Sequence, residues 1–331
     1  MLAAALNRRA ALAGALSLPF HRVALAQRAR PMLAILALGF ETGPRGEMQA
    51  SPLRTALAEL GWIDGQTIDI AARFADGVAD RLPALAAELV ALQPDVLFTH
   101  SSAGVRAVEK VTKTIPVVVG PAGEEELLRA AGNLARPHGN ITGFTFSSIE
   151  EHSKLLDILK QAHPKVARVG LLVDPQFPSL KDYPSVLTPA ASALGLTLVR
   201  IEARRPALSE AFDRIKAAPI DALIVLIMPG FNDSETAREI SALALKQGIA
   251  VVGSGAFYAQ GGALLSYGTD YVSLVRRAAT YIDRILKGTK PAELPVERPS
   301  VFRLIVNLRT ANALGLSIPP ALLGRADEVI E

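Results

Sequence analysis

Short runs rich in Leu, Ile and Val alternate with longer stretches of helical period along most of the chain, and this alternation limits the fold more than any other feature. The first run is Met32-Leu-Ala-Ile-Leu-Ala-Leu38. A helical stretch follows, with Met48, Leu53, Ala56, Leu57 and Leu60 on one face and Gly61 closing it. Gln66 to Ala71 reads as a second strand. Asp80 is the expected cap of the next helix, with Pro83 in its first turn and Leu85, Leu89 and Leu92 along its face. Val96–Thr99 and Ile115–Val119 read as strands around a helix from Ala103 to Thr112. After Asn140-Ile-Thr-Gly-Phe144 the alternation starts again, with strands at Val169–Val173, Thr197–Ile201, Ala222–Ile227 and Ile249–Val252. The intervening helices fall near 150–160, 185–194, 207–217 and 233–247. Such alternation implies right-handed crossovers and a parallel sheet covered on both faces. Two series of four or five units predict two doubly wound α/β lobes, which suits a chain of 331 residues, half of them apolar.

The last third departs from this rhythm. Tyr271–Leu286 is a strongly amphipathic helix closed by Gly288, and Pro291, Pro295 and Pro299 mark a crossing segment. A strand at Val301–Val306 and a short helix ending near Gly315 follow. A chain that visits each lobe more than once predicts a three-segment hinge. The expected division is an N-terminal lobe of 30–145 with 266–298, and a C-terminal lobe of 146–265 with 299–331.

The first residues read as an export signal. Arg8-Arg9 precede the apolar run Ala10–Phe20, and Ala24-Leu-Ala26 places small residues where a signal peptidase needs them. Eleven apolar residues are too few to span a bilayer core of about 30 Å. Residues 1–26 are therefore the expected cleaved signal peptide. Arg8-Arg9 points to the twin-arginine route, although Ala11 stands where an aromatic is usual, so the route stays open. Without this segment the basic count falls from 35 to 32 and equals the 32 acids, so the mature chain is formally neutral and offers no case for nucleic-acid binding. The chain has no cysteine, which excludes disulfides, thiol catalysis and a lipid-modified cysteine tether. An exported chain without that tether is expected in a Gram-negative periplasm.

No catalytic or cofactor motif emerges. Gly253-Ser-Gly-Ala-Phe257 lacks the third glycine of a dinucleotide loop, and no Walker A sequence occurs. His21, His100, His138, His152 and His163 show no ligand-spaced pair, so neither a metal nor a cofactor is expected. His100-Ser101-Ser102 places a base beside hydroxyls, but no nucleophile elbow surrounds it, and hydroxyl capping of a helix is the favoured reading. Trp62 reads as a packing residue and Glu124-Glu125-Glu126 as a solvated helix start. In open α/β sheets ligands sit beyond the carboxyl ends of the strands. Ser101 and Ser102 lie at such an end, where free N–H groups suit a carboxylate. Other strand ends supply Phe40, Thr42, Gly120, Asp174, Phe177, Met228, Phe231, Ser254 and Tyr258 as candidate ligand contacts. This mix of aromatics, hydroxyls and carboxylates suits a small polar solute with an apolar side group.

Several separated segments resemble the substrate-binding protein family of ABC transporters, of the tryptophan- and tyrosine-binding type. In the N-terminal half they are Leu57-Ala-Glu-Leu-Gly-Trp-Ile-Asp-Gly-Gln66, Asp80-Arg-Leu-Pro-Ala-Leu-Ala-Ala-Glu-Leu89 and Leu134-Ala-Arg-Pro-His-Gly-Asn-Ile-Thr-Gly143. The later ones are Gly261-Gly-Ala-Leu-Leu-Ser-Tyr-Gly268, Ile285-Leu-Lys-Gly288, Leu294-Pro-Val-Glu297, Ile305-Val-Asn-Leu308 and Arg325-Ala-Asp-Glu-Val-Ile330. The resemblance implies the type 1 periplasmic binding protein fold and a solute-binding role beside inner-membrane permease subunits. It departs at Glu124-Glu-Glu-Leu-Leu-Arg129, where the family usually shows Asp-Pro-Val followed by a glycine. The expectation is thus a monomeric, non-enzymatic binding component of an ABC importer that captures an amino acid or aromatic acid. A sensor domain feeding a signalling partner is the alternative, and an exported enzyme on the same fold a weaker one.

Overall fold

The computed structural model describes residues 30–39, 44–146, 149–175, 183–217, 219–226, 230–231 and 233–331. The expected signal peptide lies outside them. The first lobe opens with β1 (Met32–Ala37), α1 (Pro44–Glu59), β2 (Asp69–Phe74), α2 (Leu82–Ala91) and β3 (Val96–Thr99). It continues with α3 (Ser101–Val111), β4 (Val117–Ala122), α4 (Glu124–Ala131) and β5 (Ile141–Thr145). Its five strands pair in parallel in the order β2-β1-β3-β4-β5. Both faces are covered, so the inner strands β1, β3 and β4 are largely apolar rather than alternating, while edge strand β2 carries Asp69 and Arg73 and is half-buried. Leu33 and Ile35 pack with Leu57, Phe98 and Phe144 on one face, while Ala34 and Leu36 pack with Leu89, Val108 and Leu127 on the other. Burying each such large side chain contributes about 1.5–3 kcal/mol.

The second lobe runs through α5 (Ile149–Ala162), β6 (Arg168–Val173), α6 (Tyr183–Ala193), β7 (Thr197–Glu202) and α7 (Leu208–Ala217). Next come β8 (Ala222–Val225), α8 (Ser234–Leu245), β9 (Ala250–Gly253), α9 (Ala256–Gln260) and β10 (Leu265–Thr269). The chain then returns to the first lobe as α10 (Tyr271–Leu286), whose Val275, Ala278, Tyr281 and Ile282 seal the face shared with Leu57 and Phe144. It crosses back into β11 (Phe302–Asn307), α11 (Leu308–Ala313), α12 (Pro320–Leu323) and β12 (Glu328–Ile330). The second sheet is ordered β12-β11-β10-β9-β8-β6-β7, and only its β10–β11 pair is antiparallel.

The predicted boundaries shift at several points. β2 starts at Asp69, because Asp64 to Ile68 form a turn closed by hydrogen bonds to Ile63. Leu60 is exposed rather than core, since α1 ends at Glu59 and Gly61 turns the chain at φ +91°. Asp80 caps nothing: it sits in a short 3-10 turn whose residue Arg81 is already helical when α2 begins. The expected lobe boundary at 266 falls inside β10, which is hydrogen-bonded into the second sheet, so the crossing follows Thr269.

Three segments cross side by side between the lobes. The Thr145 N–H donates to the Glu297 carbonyl at 2.9 Å, Glu297 N–H to Gly143 at 3.0 Å, and Asp270 N–H to Val301 at 3.0 Å. Arg277 holds the Glu297 carboxylate in a two-pronged ion pair, and Tyr281 donates to it at 2.8 Å. These contacts fasten the third crossing to the first lobe as far as Glu297. A further contact between the lobes brings α1 of the first against α8 of the second.

Candidate functional site

The first-lobe site forms where β3 becomes α3. Thr99, the last strand residue, donates its hydroxyl to the Leu36 carbonyl at 3.0 Å. Gly104 lets α3 come this close, because a Cβ there would lie 2.3 Å from the Thr99 hydroxyl. His100 is extended (φ −139°, ψ 168°), and Ser101 then takes φ +69°, a left-handed conformation unusual for a residue with a side chain. The Ser101 hydroxyl oxygen accepts from Gly104 N–H and that of Ser102 from Gly123 N–H, both at 3.3 Å. The second bond ties the start of α3 to the start of α4. Both serines remain half-buried. Free N–H groups and the positive end of an eleven-residue helix meet there, an arrangement suited to an anion.

His100 itself is 7 % exposed, and burial holds its imidazole down to a pKa of about 4, so the ring is neutral at physiological pH. Its Nε2 is buried without a hydrogen-bond partner among the described residues. Gly120, expected at a strand end, lies inside β4, which runs on to Ala122. A Cβ on Gly120 would come within 2.8 Å of the Phe98 ring and 3.4 Å of the His100 Cβ. Gly120 therefore makes room for those two side chains rather than lining a surface.

The second-lobe strand ends differ. Asp174, directly after β6, is buried, and its Oδ2 is 3.4 Å from where a Cβ on Gly230 would sit. The loops after β6 and β8 thus meet. Phe231 and Tyr258 are fully buried, and the Tyr258 hydroxyl donates to the Phe231 carbonyl at 2.5 Å. Both were expected as ligand contacts; both instead belong to the lobe's main core cluster. Ser254 is also buried, at the end of β9. Asp233 caps α8 by accepting from the N–H groups of Glu235 and Thr236. Phe40, Thr42, Phe177 and Met228 lie outside the described residues.

A buried polar group that sequence reading missed lies against the hinge. The Glu151 carboxylate accepts from the Thr269 hydroxyl at 2.7 Å, and burial raises its pKa. Neighbouring His152 is buried too and held down to about 4 by desolvation. Glu150-Glu151 in the sequence looks like any acidic helix start, so nothing local marked its burial. Glu124 does begin a helix, as expected, and Arg298 of the third crossing grips it in a two-pronged pair that lowers its pKa. Trp62 packs against the first-lobe core and donates its ring N–H to Asp283 at 2.9 Å. Among the described residues no cluster of His, Cys, Asp and Glu could hold a metal, and no helix is long and apolar enough to cross a membrane. Two surface depressions, of about 430 and 290 Å³, lie at the opposite end of the first sheet, one lined by Gln93, Pro94 and Thr112 and the other by Pro31, Asp95 and Pro291.

The comparisons with known proteins agree with this architecture. Residues 42–330 match the family model described as ABC transporter substrate binding protein. A conserved domain protein from Vibrio cholerae superposes with a TM-score of 0.79 at 25 % identity, covering 90 % of this chain and 99 % of that one. The ABC domain from Streptococcus pneumoniae in complex with L-Trp gives 0.80 at 21 %, covering 91 % and 100 %. A solute-binding protein of an ABC transporter from R. palustris in complex with benzoate gives 0.62 at 14 %, covering 83 % and 92 %. None of the curated proteins matches the sequence. The fold is the type 1 periplasmic binding protein fold: two doubly wound lobes with a hinge of three segments.

Proposed function

Because the chain belongs to the ABC transporter substrate-binding protein family, we propose that it is the periplasmic capture component of an importer. It holds a small carboxylate-bearing solute between its lobes and delivers it to permease subunits in the inner membrane. The first lobe comprises 30–145 with 270–298, the second 146–269 with 299–331. The protein works as a monomer, takes no cofactor and performs no chemistry on its cargo.

The observation that carries this reading is the turn from β3 into α3. Ser101 is held at φ +69°, a backbone state that costs free energy and recurs at functional sites. It presents a hydroxyl beside helix N–H groups, which together suit a carboxylate. Relatives of this fold support the ligand class, since one contains L-Trp and another benzoate. Asp174, buried directly after β6, is the candidate contact from the second lobe.

A thermal-shift screen of L-amino acids, benzoate and related aromatic acids tests the reading. A solute bound only by the folded state raises the melting temperature by mass action, about 2.7 kcal/mol of stabilisation at a hundredfold excess over Kd. The shift should vanish when Ser101 and Ser102 are both replaced by alanine. A shift that survives the double replacement would place the carboxylate elsewhere.

A further inference from the structure

Four buried side-chain atoms lack a hydrogen-bond partner among the described residues: Arg30 Nε, His100 Nε2, Ser241 Oγ and Ser266 Oγ. Arg30 precedes β1, Ser241 lies inside α8, and Ser266 is the second residue of β10. Only His100 stands at the carboxyl end of a strand and directly before a helix N-terminus. More than nine in ten buried polar groups find a partner, so each exception calls for a physical cause. Alternation along β3 sends Thr99 towards α3 and puts His100 on the same side as Phe98, as their shared approach to Gly120 shows. The side chain therefore leaves the chain on the Phe98 side, one residue past the last paired residue of β3 and one before Ser101.

We propose that His100 is a specificity-determining contact whose Nε2 pairs with a hydroxyl of the solute close to its carboxylate. This rests on the carboxylate lying at Ser101 and Ser102. Adjacent residues of one turn reach groups only a few ångströms apart, so the hydroxyl belongs on the carbon next to the carboxylate or one removed from it. A hydroxyl both donates and accepts, and so suits either tautomer of a neutral imidazole. A solute lacking it leaves the nitrogen unpaired in the closed cleft, which is how sites built for a polar group reject apolar analogues. Hydroxylated carboxylic acids are thereby selected over their parent acids.

The test pairs mandelate with phenylacetate, and 2-hydroxybenzoate with benzoate, by calorimetry on the full mature chain. The wild type should bind the hydroxylated member of at least one pair about tenfold more tightly. His100→Leu, close in volume, should erase that preference while still binding the parent acid; His100→Asn should keep part of it. Equal binding of both members by the wild type, or a preference that survives in His100→Leu, overturns the inference and leaves the serine site standing. Binding lost in the double serine variant but not in His100→Leu identifies the two roles separately. If none of the four acids binds, the ligand-free melting temperature decides. Removing a truly unpaired nitrogen should leave it unchanged or raise it by about 2–4 °C. A fall of several degrees means that the nitrogen is satisfied inside the protein, and the inference fails.

Discussion

The two lobes use the residues at their strand ends differently. At the end of β3 in the first lobe, Ser101 and Ser102 stay half-buried, one of them in a strained backbone, and His100 keeps a nitrogen unpaired. At the ends of β8 and β9 in the second, Phe231 and Tyr258 are fully buried and bonded to each other, and Asp233 spends its carboxylate capping α8. Among the described residues, hydrogen-bonding capacity is therefore left open where β3 ends and spent where β8 and β9 end. A strand-end location alone does not make a binding residue. What distinguishes one is capacity that the fold leaves unspent.

The contrast is most exposed to core truncation. Tyr258→Ala should cost about 3–5 kcal/mol in urea unfolding, as expected for a fully buried aromatic ring. Ser101→Ala and Ser102→Ala should each stay within about 1 kcal/mol, as each loses one long hydrogen bond. Equal costs in the two lobes would remove the distinction.

Acid should act next most strongly. Unfolded histidine takes up a proton near 6.5, whereas folded His100 and His152 resist until about 4. Each thus contributes stability that is fully present above pH 6.5 and is lost as pH falls through about 4, on the order of 3 kcal/mol apiece. In the second lobe Glu151 works in the opposite direction. Burial raises its pKa, so the folded state holds a proton that the unfolded chain has released, and acidification favours folding there. His100→Asn and His152→Asn should therefore each flatten the decline of melting temperature between pH 7 and 4.5, and to a similar extent. A decline as steep as the wild type's in either variant would show that the imidazole it replaces is not held neutral by burial.

Ser101→Gly sharpens the contrast from the other side. Glycine accepts φ +69° freely, so the variant should gain up to about 1 kcal/mol of stability while losing solute affinity. A variant that is both less stable and unchanged in binding would make Ser101 a structural residue. Arg298→Ala should do least, leaving the unfolding midpoint close to that of the wild type and closer still in salt, because its pair with Glu124 is largely exposed.

Much of this was legible in the sequence. The predicted helix Tyr271–Leu286 matches α10 residue for residue, because its apolar stripe is wide and Gly288 stops it. The two-series alternation gave the two doubly wound lobes, since parallel strands buried on both faces read as continuous apolar runs. β10 escaped notice because Ser266 and Gly268 break its apolar run, although Gly268 is needed there: a Cβ would lie 2.0 Å from the Ser254 carbonyl oxygen. At the site, local sequence identified the β3–α3 turn but could not tell Gly120 as a spacer for Phe98 from Gly120 as a lining residue. Nor could it tell Tyr258 in the core from Tyr258 in a cleft. Those assignments depend on which side chains meet across strands, which no local pattern encodes. The burial of Glu151 against the hinge is of the same kind.

The most direct test is calorimetric titration of three proteins with L-tryptophan or benzoate, whichever the wild type binds. Each hydrogen bond to a charged group is worth about 1.5–3 kcal/mol, so replacing Ser101 and Ser102 together by alanine should weaken affinity by at least about a hundredfold. Tyr258→Phe, altered only inside the second-lobe core, should keep its affinity within about twofold, since its hydroxyl is spent on Phe231. A double serine variant that binds like the wild type, or a Tyr258→Phe protein that loses binding while still folded, would contradict recognition by the first lobe.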